Sequence, residues 1–168
     1  MLIITAYLLC AGLFVYIFGE DEIPLVRVKQ GLIRGIQEES LNGRTFYSYM
    51  SIPYAEPPVE NLRFKDPIPS KPWDSVLEGR KMPVGCLQIT SSTLLTLANN
   101  SLSIIGAEDC LYLNIFTPAP NDPERKLPVM VYIHGGGFAF GAADVYPPYF
   151  LMNKNIVLAV IQYRVGIF

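Results

Sequence analysis

The sequence predicts an α/β fold, and three observations point to it. Leu127 to Ile133 and Ile156 to Tyr163 are apolar runs of the kind buried on both faces of a sheet. The segment between them has room for a connection, with a short helix over Val145 to Lys154 whose start Pro147-Pro148 restricts, which gives strand, connection, strand. Earlier, Leu25-Val26-Arg27-Val28-Lys29 and Leu32-Ile33-Arg34-Gly35-Ile36 alternate apolar and polar residues about Gly31, the pattern of an antiparallel hairpin.

Taken in order, Leu2 to Gly19 carries no charged side chain and is nearly all apolar. Its position and length favour a secretory signal over residues 1–19, cleaved after the small Gly19 and before Glu20-Asp21-Glu22. The Lys or Arg that commonly precedes such a run is missing, and an uncleaved membrane anchor is the alternative. The expected location is therefore secreted. After the hairpin, Arg44 to Tyr49 reads as a further strand. Prolines are dense from Ile52 to Trp73, and since proline fixes φ and lacks a donor this stretch reads as ordered coil. Leu87 to Ala107 reads as a long loop with a short helix near Leu94 to Ala98, Leu111 to Phe116 as a strand, and Asn121-Asp122-Pro123 as a turn. The sequence stops at Val165-Gly166-Ile167-Phe168, just past a strand of buried character, so the sheet is expected to be incomplete and the chain truncated.

With 168 residues, 51% of them apolar, the chain can bury one sizeable core and is not of disordered composition. A net charge of −2 argues against a nucleic-acid partner, which would favour a basic face. Cys10 lies in the expected signal, which leaves Cys86 and Cys110 as an even pair in an exported chain. A disulfide between them is expected to contribute about 3 kcal/mol through chain entropy, with two buried thiols as the alternative. Asn99-Asn100-Ser101 inside that loop is a glycosylation sequon on Asn99.

The stretch Val129-Met130-Val131-Tyr132-Ile133-His134-Gly135-Gly136-Gly137-Phe138 carries the chemistry. Three glycines in a row leave main-chain N–H groups bare, and such donors converging on one point stabilise a developing negative oxygen. Phosphate-binding patterns do not fit. A dinucleotide fingerprint starting at Gly135 needs glycine where Phe140 stands, and a P-loop from Gly136 to Gly141 needs Lys and Ser or Thr where Ala142-Ala143 stand. One histidine and no C-x-x-C pair argue against a metal site, and no cofactor is expected. The bland alternative is a tight glycine turn that serves packing alone.

Glu108-Asp109-Cys110-Leu111-Tyr112-Leu113-Asn114-Ile115-Phe116-Thr117-Pro118 resembles a signature of the type-B carboxylesterase and cholinesterase family. His134-Gly135-Gly136-Gly137-Phe138 resembles the oxyanion loop of that family. Tyr47 to Pro58 looks like its Gly-Ile-Pro-Tyr-Ala-x-Pro-Pro segment, with Ser51 where glycine is usual. Leu62-Arg63-Phe64 and Pro72-Trp73 follow in the family's order, and Gln162-Tyr163-Arg164-Val165-Gly166-Ile167-Phe168 resembles Asn-Tyr-Arg-x-Gly-x-Phe, with Gln162 in place of asparagine.

The resemblance runs from about Val26 to Phe168 and implies an α/β-hydrolase fold. Residues 20–168 would then be the N-terminal portion of a carboxylesterase type-B domain, with part of a central, mostly parallel sheet behind the antiparallel hairpin. It implies ester hydrolysis through an acyl-enzyme, with a serine nucleophile, a histidine base and an acid that orients it. No serine here has a Gly-x-Ser-x-Gly setting, so these residues would supply the oxyanion loop to a site completed elsewhere. By position, Gly136 and Gly137 are oxyanion donors, while His134 and Gly135 support the loop. The resemblance also implies an Arg63–Glu108 ion pair, with solvated surface charges as the alternative. Trp73 reads as a packing residue, and Arg164 as the partner of an acid further along. The loop from Cys86 to Cys110 has no aromatic residue to receive a quaternary ammonium, so the expected substrate is an apolar carboxylic ester and not a choline ester. The other function class is a cholinesterase-like adhesion or binding protein that lacks catalysis.

The exported protein is expected to begin at Glu20, which mass spectrometry of its N-terminal peptide checks. An intact Met1 on exported material would contradict the signal.

Overall fold

A computed structural model describes residues 24–89, 103–119, 124 and 126–168. The expected signal, the Leu94 to Ala98 helix, the turn at 121–123 and Asn99 lie outside the described residues.

Strands β1 (Leu25–Val28) and β2 (Gly31–Arg34) form the antiparallel hairpin, with Val28 opposite Gly31. A Cβ on Gly31 would lie 2.3 Å from Trp73 Nε1, so only glycine lets the tryptophan close over the turn. Trp73 Nε1 donates to the Leu32 carbonyl at 2.9 Å, and Trp73 N donates to Gln30 O at 2.8 Å. The run expected to continue to Ile36 instead breaks at Gly35, where a Cβ would meet Ser48 O at 2.5 Å. Beyond the break, β3 (Ile36–Glu39) turns back into β4 (Thr45–Pro53). Strand β5 (Leu77–Glu78) joins β2 in parallel. The proline-dense stretch carries one short 3₁₀ turn at Glu60–Leu62.

Short strands β6 (Gln88–Ile89) and β7 (Ile104–Ile105) pair antiparallel near the two ends of the segment expected to be a long loop with a short helix near Leu94 to Ala98. Then follow β8 (Tyr112–Thr117), β9 (Val129–Ile133) and β10 (Val157–Ile161). The main sheet has five strands in the order β3-β4-β8-β10-β9.

Two expectations are corrected here. The sheet is mixed rather than mostly parallel: among the described residues β9 and β10 are its only parallel pair. A short turn such as that between β3 and β4 can only give an antiparallel pair, whereas parallel neighbours need a crossover. In the crossover from β9 to β10, the short helix expected over Val145 to Lys154 takes the form of two 3₁₀ turns, Ala143–Val145 and Leu151–Asn153, on either side of Pro147-Pro148, which cannot donate. The second correction concerns β9. It lies at the sheet edge with Val129, Val131 and Ile133 exposed, so its apolar character does not signal burial among the described residues. Strand β10, paired on both sides, is the buried one.

Phe46, Met50, Phe116, Met152, Leu158 and Val160 form the main core between the sheet and the crossover. A smaller cluster joins Ala55, Cys86, Cys110, Leu111 and Val165. Strand β4 shifts register against β8 between Tyr49 and Ile52, and Ser51 sits there at φ +53°. This left-handed backbone explains why glycine suits that position. Ser51 is held there by two bonds: its N–H donates to the buried Asn114 Oδ1 at 3.0 Å and its hydroxyl to Lys81 O at 2.8 Å.

Phe116→Ala should destabilise the fold by about 3–5 kcal/mol, because the side chain is fully buried in the main core. The shift of the urea midpoint checks this. Burial pushes the phenols of Tyr49 and Tyr112 up to about 12, and the Asp109 carboxylate adds to the effect at Tyr112. Raised phenol values favour the neutral form in the folded state. The stability they contribute is therefore full below pH ~10 and lost as pH rises toward 12. Phenolate absorbance followed against unfolding in alkali tests this.

Candidate active site

The glycine loop begins where β9 ends. Its first residue, His134, is buried, and its ring stacks on Tyr163 with centroids 4.2 Å apart and planes 14° from parallel. Tyr163 lies just past the end of β10. Because β9 and β10 run parallel with Ile133 opposite Ile161, both rings leave the sheet at the same end. The Tyr163 hydroxyl donates to the His134 carbonyl at 2.6 Å. His134 Nδ1 lies 3.0 Å from Gly135 O, and since a carbonyl only accepts, Nδ1 carries the proton. Nε2 is buried with no partner among the described residues.

Gly136, Gly137 and Phe138 all have positive φ, at +122°, +60° and +61°. Ala139 N donates to Gly136 O at 3.1 Å, which closes a turn with left-handed backbone at both central positions. Such backbone at a non-glycine residue costs about 1–2 kcal/mol. Phe138 is held in it by its carbonyl, which accepts from Gly166 N at 2.6 Å, and by edge-on contact of its ring with Tyr163. A Cβ on Gly136 would lie 1.7 Å from Phe140 O, so no side chain fits there. Gly137 faces open space. Among the described residues, neither the Gly136 nor the Gly137 N–H donates to any group.

The far end of the loop is tied by two glutamines. Gly141 N donates to Gln88 Oε1 at 2.8 Å, and Gln88 Nε2 donates to Gly141 O at 2.9 Å and to Cys86 O at 2.9 Å. Gln162, fully buried, accepts from Ala143 N at 2.7 Å. Gln88, Tyr163 and Gly141 were not picked out by sequence reasoning as functional residues, and Gln162 was noted only as a departure from a family pattern. The local signal for Gln88 is its place two residues from Cys86, and for Tyr163 its place at the end of the apolar run from Ile156.

Cys86 and Cys110 form a disulfide in the smaller core cluster. Arg63 Nε donates to Glu108 Oε2 at 2.5 Å, and both side chains are partly exposed. That pairing raises the arginine pKa. Arg164 keeps a buried Nη1 with no partner among the described residues. Beside the loop, Leu87, Ile89, Ile104, Phe140, Ile167 and Phe168 line an apolar recess of about 450 Å³. No group of three or more His, Cys, Asp or Glu among the described residues could hold a metal ion.

A model of the carboxylesterase family matches residues 22–168. The chain is 37% identical over 161 residues to a carboxylic ester hydrolase of Bombus ignitus, covering 96% of this chain and 28% of that protein. It is 40% identical over 147 residues to juvenile hormone esterase of Tribolium castaneum, covering 86% and 24%. It is 41% identical over 152 residues to carboxylesterase 1E of Mus musculus, covering 86% and 27%. The chain thus spans less than a third of the length of these relatives. With the family model matched over residues 22–168 and relatives 37–41% identical across most of its length, the chain belongs to the carboxylesterase family.

Proposed function

We propose that these residues supply the oxyanion loop of a secreted serine carboxylesterase with an α/β-hydrolase fold, and that the full-length protein hydrolyses carboxylic esters through an acyl-enzyme. The observation that carries this reading is the pair of N–H groups on Gly136 and Gly137. They donate to no described group, in a loop anchored on both sides by hydrogen bonds.

In this reading, a serine outside the 168 residues attacks the ester carbonyl, and the carbonyl oxygen gains negative charge. Gly136 and Gly137 donate to that oxygen, each contributing about 3 kcal/mol to the transition state. His134 is not the general base. The residue is 2% exposed, its ring packed on Tyr163 and its Nδ1 bonded to the adjacent Gly135 carbonyl. It supports the loop from beneath, and the base and its acid come from the rest of the protein. The apolar recess beside the loop suits an apolar acyl or alcohol group. The expected signal over residues 1–19, the Cys86–Cys110 bridge and the Asn99 sequon fit an exported, glycosylated enzyme.

The full-length protein should hydrolyse a short-chain aryl ester, and a serine-directed phosphorylating inhibitor should abolish the activity. Gly136→Ala should lower kcat by about 100-fold or more, because its methyl group displaces the Phe140 carbonyl and the donor beside it. Absence of hydrolysis, or hydrolysis that survives the inhibitor, contradicts the reading.

A further inference from the structure

We infer that Gln88 is a positioning residue for the oxyanion loop, tying Gly141 to the disulfide-closed segment so that Gly136 and Gly137 stay presented. The inference rests on the ester-hydrolase reading above and adds to it a residue that acts through the loop, without touching substrate.

One side-chain amide makes three bonds here. Its oxygen accepts from Gly141 N, and its nitrogen donates to Gly141 O and Cys86 O. Both polar groups of the Gly141 backbone are thereby held by one residue, as a neighbouring strand would hold them. Gly141 in turn sits against the start of the loop. A Cβ there would lie 2.4 Å from Gly135 O and 2.5 Å from His134 Nδ1, so the chain passes in direct contact with both. The preceding carbonyl, Phe140 O, packs on Gly136 with no room for a methyl group. A shift of the Gly141 peptide therefore moves the carbonyl that props Gly136.

The other end of the link is rigid. Gln88 lies two residues from Cys86, which is bonded to Cys110 in the smaller core cluster. Leu87 N donates to Ala107 O at 3.0 Å, and Ala107 N donates to Gly85 O at 3.0 Å. The disulfide thus fixes the backbone from which Gln88 reaches, and Gln88 carries that fixation across to the loop.

The test uses the full-length protein with p-nitrophenyl butyrate as substrate, and hydrogen exchange of the peptide covering 134–141. Gln88→Ala should lower kcat by about 10- to 100-fold with little change in KM, since a misplaced donor affects the transition state more than ground-state binding. Exchange at 134–141 should quicken while the core strands keep their protection. Unchanged kcat, or unchanged exchange at 134–141, overturns the inference.

If Gln88→Ala loosens the whole fold, Gln88→Glu decides. Its carboxylate can accept from Gly141 N but faces two carbonyls, whereas the protonated acid can donate to Gly141 O as the amide does. The activity of Gln88→Glu relative to the unmodified protein should therefore climb as pH falls from about 8 to about 5, through the carboxyl range. A flat ratio overturns the inference. If the unmodified protein hydrolyses no ester, the ester-hydrolase reading falls by itself, and exchange at 134–141 still decides whether Gln88 holds the loop.

Discussion

The parallel pairing of β9 with β10 is the constraint on which the glycine loop depends. It sets Ile133 opposite Ile161, so the two strands end together and deliver His134 and Tyr163 to the same place. The aromatic stack and the phenol-to-carbonyl bond follow from that register. Strand β10 is held in turn by β8 on its other side, and it buries Leu158 and Val160 in the main core. The loop is therefore braced by a strand paired on both sides, although it grows from the edge strand.

What the mounting holds in place is a backbone that most residues avoid. Positive φ at Gly136, Gly137 and Phe138 turns successive peptides so that the neighbouring Gly136 and Gly137 N–H groups are left without acceptors among the described residues. Two glycines adopt this at low cost, and the phenylalanine does so against strain. The surrounding bonds, from Gly166 to Phe138 and from the two glutamines to Gly141 and Ala143, hold that strain. Preorganised donors of this kind need no rearrangement when charge appears, which is the physical basis of oxyanion stabilisation.

A second strained position has a similar solution. Ser51 stands in left-handed backbone at the β4 register shift, where its family commonly has glycine, and Asn114 accepts its N–H from the neighbouring strand. Asn114 belongs to the Glu108 to Pro118 segment that also supplies Cys110 and Glu108. One short stretch of chain thus provides a bulge cap, half of a disulfide and the carboxylate paired with Arg63.

The sequence by itself determined the features that are local in chain and chemistry. The hairpin about Gly31, the apolar run of β10, the proline-dense coil and the glycine triplet are all legible because propensity and side-chain absence act within a few residues. Apolar content could not tell an edge strand from a central one, so β9 read as buried whereas among the described residues it is an exposed edge strand. Strand direction was equally hidden, because it depends on which strands meet and by what connection, and the sheet proved mixed. Within the glycine loop, the sequence pointed to Gly136 and Gly137, whereas for Gln88 and Tyr163 it offered only their places near Cys86 and at the end of an apolar run. Their roles arise from contacts across 53 and 29 positions of the chain, made only when the disulfide segment and β10 close on the loop. The tertiary structure decided how those distant side chains hold backbone donors in a conformation that no local preference would maintain.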